Sequence, residues 1–191
     1  GQTFIVENRT GASGLIGAEL VARSPSDGYN LLFTTASLSV NVSLYKKIAF
    51  DPVKDLQPVS WVSSVPLVLV THPSVPVKSA KELIALAKRE KGKLNAANNG
   101  AGTTSHLSIE MLKQFAGVEV ASIPYKGGGP AITAVLSGET DFAFATALAA
   151  QPYIKSGKVR ALAVTTAKKS GAFPDLPTMD SIYPGFESDN W

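Results

Sequence analysis

Short apolar runs of strand length alternate with stretches of helical periodicity along almost the whole of this chain. That alternation restricts the folds open to it more than any other feature. The strand-like runs fall at 3–6, 29–34, 65–71, 94–97, 118–123, 141–145 and 159–165, each bounded by Gly, Pro, Asn or Asp. Between them, apolar residues recur at helical spacing in three places: Leu15-Ile16 with Leu20-Val21, Leu83-Ile84 with Leu86-Ala87, and Leu107, Met111, Leu112 and Phe115. Gly117 stands where a helix C-cap belongs. Strands alternating with helices in this way imply an α/β fold, with mostly parallel sheet covered by helices on both faces.

Composition narrows the classes of partner. The 191 residues are 45% hydrophobic and 17% charged, a balance that buries a core. No apolar run approaches the roughly 18 residues a membrane helix needs, and the longest, 65–70, is strand-sized. The 18 basic residues outnumber the 15 acidic ones, but they are scattered, with pairs only at Lys46-Lys47 and Lys168-Lys169. There is no basic stripe with interleaved aromatics, so nucleic acid is not an expected partner. The absence of cysteine removes disulfides, thiolate catalysis and Cys-ligated zinc, and leaves the redox compartment open. Turn-forming residues are densest at 50–58 and 171–177, which suit crossings between two lobes as well as ordinary surface loops.

Four loops carry candidate chemistry. Thr10-Gly11-Ala12-Ser13-Gly14-Leu15-Ile16-Gly17 has the look of a dinucleotide turn, and an NAD(P)-binding short-chain dehydrogenase-like domain is the alternative reading it raises. Three features oppose that reading. Glu7-Asn8-Arg9 separate the turn from the preceding apolar run, and the 29–34 run ends in Thr34-Thr35-Ala36-Ser37 without an acidic residue for a ribose. No tyrosine has a lysine four residues on. The second loop, Asn98-Asn99-Gly100-Ala101-Gly102-Thr103-Thr104-Ser105-His106, follows a strand and opens a helix. It fits simple capping and an anion grip equally well by itself. His106 has only His72 for company and no metal-ligand spacing. The third loop, Pro124-Tyr125-Lys126-Gly127-Gly128-Gly129-Pro130, places a proline in the first turn of its helix. The fourth is Thr146-Ala147-Leu148. In an open α/β sheet ligands bind beyond the carboxyl ends of the strands, so the last three loops are expected to converge on one site.

An ordered set of segments then resembles one family, the tripartite tricarboxylate transporter substrate-binding receptors, or Bug-type periplasmic solute-binding proteins. The set runs from Val6-Glu7-Asn8-Arg9-Thr10-Gly11-Ala12-Ser13-Gly14, through Asp27-Gly28-Tyr29-Asn30-Leu31-Leu32 and Phe50-Asp51-Pro52-Val53-Lys54-Asp55, to the loop at 100–106. It continues with Pro124-Tyr125-Lys126-Gly127-Gly128, Gly157-Lys158-Val159-Arg160-Ala161-Leu162-Ala163-Val164-Thr165 and Pro174-Asp175-Leu176-Pro177-Thr178. The resemblance implies a type II periplasmic binding protein-like fold of two lobes. It places the second lobe at 65–164 and a partial first lobe at 1–64 and 165–191. It also re-explains the 11–17 turn as scaffold.

The same resemblance implies a receptor that holds a small carboxylated molecule between lobes and delivers it to the membrane permease of a tripartite tricarboxylate transporter. The implied location is the periplasm, with no cofactor and no metal. Ser37 and Asn41 would line the cleft from the first lobe. Gly102, Thr103, Thr104 and Ser105 would grip a carboxylate from the second, with Tyr125, Gly127, Gly128 and Thr146 shaping the walls. The family pattern has a further strand and glycine loop before Gly1 and further helices after Trp191, so a fragment with an incomplete first lobe is the expectation. No G-x-S-x-G, Tyr-x-x-x-Lys or His–carboxylate constellation is present, and an enzyme is not expected.

Overall fold

A computed structural model describes all residues from Gly1 to Trp191. Contacts divide the chain into two compact units, Gly1–Trp61 and Val62–Trp191.

The first unit holds two short helices, α1 (Leu15–Ala22) and α2 (Ser37–Leu44). A left-handed turn opens α1: Gly11, Ala12, Ser13 and Gly14 all have positive φ, at 127°, 45°, 53° and 92°. Glycines at its two ends carry the angles that side chains resist. Asn41 holds the middle, donating from Nδ2 to the Ser13 carbonyl at 3.1 Å. The runs at 3–6 and 29–34, expected as strands, form none. Phe4, Ile5, Val6 and Phe33 are each about four-fifths exposed. β-branched and aromatic residues favour a strand only where another strand supplies the ladder, and this unit contains no strand.

The second unit is built on a five-strand sheet. Its elements are β1 (Val65–Thr71), α3 (Ala80–Arg89), β2 (Asn95–Asn98), α4 (Thr104–Ala116), β3 (Ala121–Pro124), α5 (Gly128–Leu136), β4 (Phe142–Thr146), α6 (Ala147–Lys155) and β5 (Arg160–Val164). A two-residue strand, β6 (Asp189–Asn190), pairs with the start of β1. The spatial order is β3-β2-β4-β1-β5. β2 runs parallel to β3 and β4, whereas β1 lies antiparallel to both β4 and β5. The expected α/β architecture is present, with a mixed sheet. Alternation alone could not show that β1 inserts between β4 and β5, two strands that lie far along the chain.

Why the longest apolar run is a strand follows from its burial. Leu67 and Leu69 face the core shared with α3 and α4, and Val68 and Val70 face the one shared with α5 and α6; none is more than 1% exposed. β4 alternates likewise, with Phe142 and Phe144 on the first face and Ala143 and Ala145 on the second. A strand covered on both faces needs apolar residues throughout. Ser79 caps α3 by accepting the Glu82 amide, while the Glu82 carboxylate accepts the Lys78 amide. α4 stops at Gly117, whose φ of 61° is the left-handed C-cap that glycine adopts without strain.

The 165–191 segment packs within this second unit. Met179 donates its amide to the Val164 carbonyl at 2.8 Å. Met179 and Phe186 are fully buried in the α3/α4 core. Phe186 stacks on Phe144 at 6.0 Å between ring centroids and meets Phe115 edge-on at 5.6 Å. Phe186→Ala removes both contacts and should cost about 3–5 kcal/mol in guanidinium unfolding. Leu148→Ala, at a side chain 82% exposed, should stay within about 0.5 kcal/mol of the parent. Equal midpoints for the two variants would show that 165–191 is not part of this core.

Candidate functional site

The order β3-β2-β4 makes three consecutive strands parallel, so their carboxyl ends lie along one edge. From that edge α4, α5 and α6 start. The three loops expected to converge are therefore neighbours. Each helix start carries amides without an acceptor one turn earlier, and the positive end of a helix dipole. Three such ends on one edge form a region suited to an anion.

The loop before α4 is held by side chains. Asn98 is buried; its Nδ2 donates to Ser122 Oγ at 2.9 Å and its Oδ1 accepts the Gly100 amide at 2.8 Å. Thr103 is the N-cap of α4, donating its hydroxyl to the Gly100 carbonyl at 2.7 Å and accepting the His106 amide at 3.4 Å. The Gly102 amide donates to His106 Nδ1 at 3.2 Å, which makes His106 part of the turn. Thr104 donates its hydroxyl to Asn190 Oδ1 at 3.0 Å. Of the expected grip, the Thr103 and Thr104 hydroxyls are thus engaged within the chain, and the Gly102 amide is too. Ser105 differs. It is 1% exposed, and its hydroxyl has no partner in the chain.

The other two starts are plainer. Gly127 is the N-cap of α5 with φ 104°, a conformation that requires glycine, and no side chain caps the helix. Thr146 is the N-cap of α6, and its hydroxyl does not cap that helix either. Tyr125 packs its ring against the α5/α6 core and donates its hydroxyl to Glu139 Oε1 at 2.7 Å. Partial burial, and then the Glu139 carboxylate, push its pKa up. The Tyr125 hydroxyl proton is therefore engaged, and the group can offer a ligand a wall and an acceptor but no donor. Gly128 lies beside the Asn99 carboxamide: a Cβ built there would come 3.7 Å from Nδ2. Asn99 sits inside a motif legible in the sequence, yet sequence reasoning assigned it no role. Only its reach toward α5 singles it out.

Ser37 and Asn41 lie on α2 of the first unit, both buried. The Ser37 hydroxyl meets Thr35 Oγ1 at 2.8 Å, and Asn41 Oδ1 has no partner. No group of three or more His, Cys, Asp or Glu residues stands close enough to hold a metal. His72 Nδ1 lies 2.6 Å from Ser74 Oγ and also accepts the Ser74 amide, a local turn just after β1, at the sheet edge opposite the three helix starts. No strand precedes the 11–17 turn, so the strand–turn–helix frame of a dinucleotide site is missing there.

An α/β unit whose parallel strands end in an anion-suited edge is the architecture of a periplasmic binding protein, and the sequence match places the chain within one such family. The family model for the tripartite tricarboxylate transporter family receptor matches residues 1–191, so the chain belongs to that family. It is 40% identical to Protein BugT of Bordetella pertussis over 194 aligned residues, covering all of this chain and 60% of BugT. Among solved structures, R. palustris Rpa4515 with adipate superposes with a TM-score of 0.96 at 35% identity, over 100% of this chain and 64% of that one. The periplasmic binding protein BugD gives 0.92 at 39% identity, over 98% and 63%. The chain thus spans somewhat under two thirds of these relatives' length.

The site geometry separates two neighbouring hydroxyls. Thr103→Val should cost about 1 kcal/mol in chemical denaturation, because it removes the cap of α4. Ser105→Ala deletes a buried group that bonds to nothing, and stability should hold or rise. A loss in Ser105→Ala equal to that in Thr103→Val would make Ser105 a structural residue.

Proposed function

We propose that this chain carries the ligand-binding lobe of a periplasmic solute receptor that holds a small carboxylate at the α4–α5–α6 edge, for delivery to a tripartite transporter permease. The observation that supports it most is the convergence of three helix starts on one edge. Two of them lack side-chain caps, and the third contains the buried, unpartnered Ser105 hydroxyl. In this reading the amides of Thr104, Ser105 and Gly128 and the Ser105 hydroxyl donate to the carboxylate. Thr103 and Thr104 shape the loop through their side chains, Gly102 and Gly127 supply backbone angles, and Tyr125 and Thr146 form walls. Positive charge comes from the helix dipoles, so no lysine or arginine is needed at the edge. The adipate bound to Rpa4515 is a molecule of the proposed class.

Binding without catalysis fits the same geometry. General acid–base chemistry needs a titratable group free to reach the substrate, and the histidine at this edge, His106, accepts the Gly102 amide at Nδ1 and lies 3.8 Å from Glu110 Oε1 at Nε2. The oppositely placed His72–Ser74 turn has no carboxylate to orient the ring.

A thermal-shift screen of the full-length protein against mono- and dicarboxylates tests the proposal. A ligand present at 100 times its Kd stabilises the native state by about 2.7 kcal/mol. A hydrogen bond to a charged group is worth about 1.5–3 kcal/mol, so Ser105→Ala should weaken the best acid by roughly 10- to 100-fold in calorimetric titration. A protein unmoved by every carboxylate would refute the reading.

A further inference from the structure

Asn99 is the only asparagine in the chain that is followed by glycine. In such a pair the carboxamide is open to its own backbone, because the next nitrogen can reach Cγ and glycine has no side chain to stand in the way. The neighbouring Asn98 is buried and spends both ends of its carboxamide inside the fold. Asn99 is half-buried, so water reaches it, and its carboxamide makes no hydrogen bond in the chain. Gly100 has φ 122°, a conformation that keeps this position a glycine. The Asn99 carboxamide also lies beside the start of α5, with Nδ2 and Oδ1 3.7 Å and 3.8 Å from where a Gly128 Cβ would stand.

We propose that Asn99 is a site of spontaneous deamidation, whose product fixes a carboxylate between the starts of α4 and α5. The Gly100 nitrogen gives its proton to solvent hydroxide and attacks Asn99 Cγ. A bond forms between that nitrogen and Cγ, the Cγ–Nδ2 bond breaks, and ammonia leaves a closed succinimide ring. Water then opens the ring at Cγ to give aspartate, or at the main-chain carbonyl to give isoaspartate, and nothing is oxidised or reduced. Negative charge develops on the Gly100 nitrogen and then on Asn99 Oδ1. The first-turn amides of α4 and α5, with their dipoles, lower the cost of that charge. One hydrogen bond opposes the step: the Gly100 amide donates to Asn98 Oδ1 at 2.8 Å, and it must open before the nitrogen is free. Modification is therefore a slow ageing of the folded protein. Its product is ionised at neutral pH, is favoured by the helix ends, and stands where the ligand anion is proposed. Loss of the ligand rests on the carboxylate reading above; the modification itself does not.

Peptide mapping by mass spectrometry tests it on the full-length protein, kept folded at mildly alkaline pH. Aspartate and isoaspartate should accumulate at position 99 well before any other asparagine reacts, with ammonia released in step. Asn99→Gln, whose longer side chain closes its ring far more slowly, should stop both. A position 99 that stays intact in the folded protein overturns the proposal, and reaction there only after urea denaturation would show that Asn98 locks the site. Equal reaction at the other asparagines overturns it too. Asn99→Asp copies the aspartyl product and should keep or exceed the parent's thermal midpoint. In calorimetric titration it should bind adipate, or the acid the parent binds best in the thermal-shift screen, at least about tenfold more weakly. A lower midpoint or an unchanged grip on that acid overturns the blocking carboxylate. A parent that no carboxylate stabilises removes the carboxylate reading and the effect on ligand with it, while peptide mapping still decides the modification.

Discussion

Leu67 and Leu69 on one face of β1 and Val68 and Val70 on the other are all withdrawn from water, so this strand can be reached only along its two edges. β4 and β5 take those edges. Because β1 runs antiparallel to β4, its own amino end lies at the edge where β4, β2 and β3 finish. The Ala143 and Ala145 face of β4 lies in the same core as α5 and α6, while the Phe142 and Phe144 face meets α3, α4 and Phe186. The large-against-small alternation of four residues in β4 therefore divides the unit into two differently filled layers. Neither layer supplies the proposed site. They hold in register the strands at whose ends it is proposed.

At that edge the chain spends side chains on shape and leaves backbone amides unpaired. Asn98, Thr103 and Thr104 each direct hydrogen bonds inward, and together they fix a loop of two glycines that would otherwise have many conformations. Ordering that loop before a ligand arrives lowers the entropy lost on binding. Helix-start amides then provide charge complementarity without a fixed cation. In the proposed function such a surface would hold a carboxylate and say little about the rest of the molecule, so discrimination would come from the few side chains with spare capacity.

How much of this was legible in the sequence differs by element. The runs at 65–71, 94–97, 141–145 and 159–165 became strands within one residue of their expected bounds, because each is apolar on a buried face and each finds a partner. The run at 118–123 begins pairing only at Ala121, since Val118 and Val120 are already buried in the α3/α4 core before β3 aligns with β2. The runs at 3–6 and 29–34 have the same composition and no ladder, which shows that β-propensity describes a fit to neighbours and not a property of the segment. The convergence of three loops could be argued from alternation plus the rule about strand ends. Which hydroxyls are free could not. Thr104 and Ser105 look interchangeable as letters, but one faces Asn190, 86 positions away, and the other faces nothing in the chain.

That difference has an energetic side. A buried hydroxyl without a partner costs a folded protein about 1–3 kcal/mol relative to the same group in water. Folding alone gives no reason to place one at Ser105, because alanine fills nearly the same space without the cost. The neighbouring hydroxyls at 103, 104 and 108 all find acceptors inside the chain, so the geometry around the start of α4 does not prevent pairing. A cost kept at one position and avoided at three beside it fits the binding edge proposed above. A donor already withdrawn from water gives more to an incoming anion than one that must first shed its hydration. In the proposed complex the stability left unclaimed at Ser105 would be available to the carboxylate.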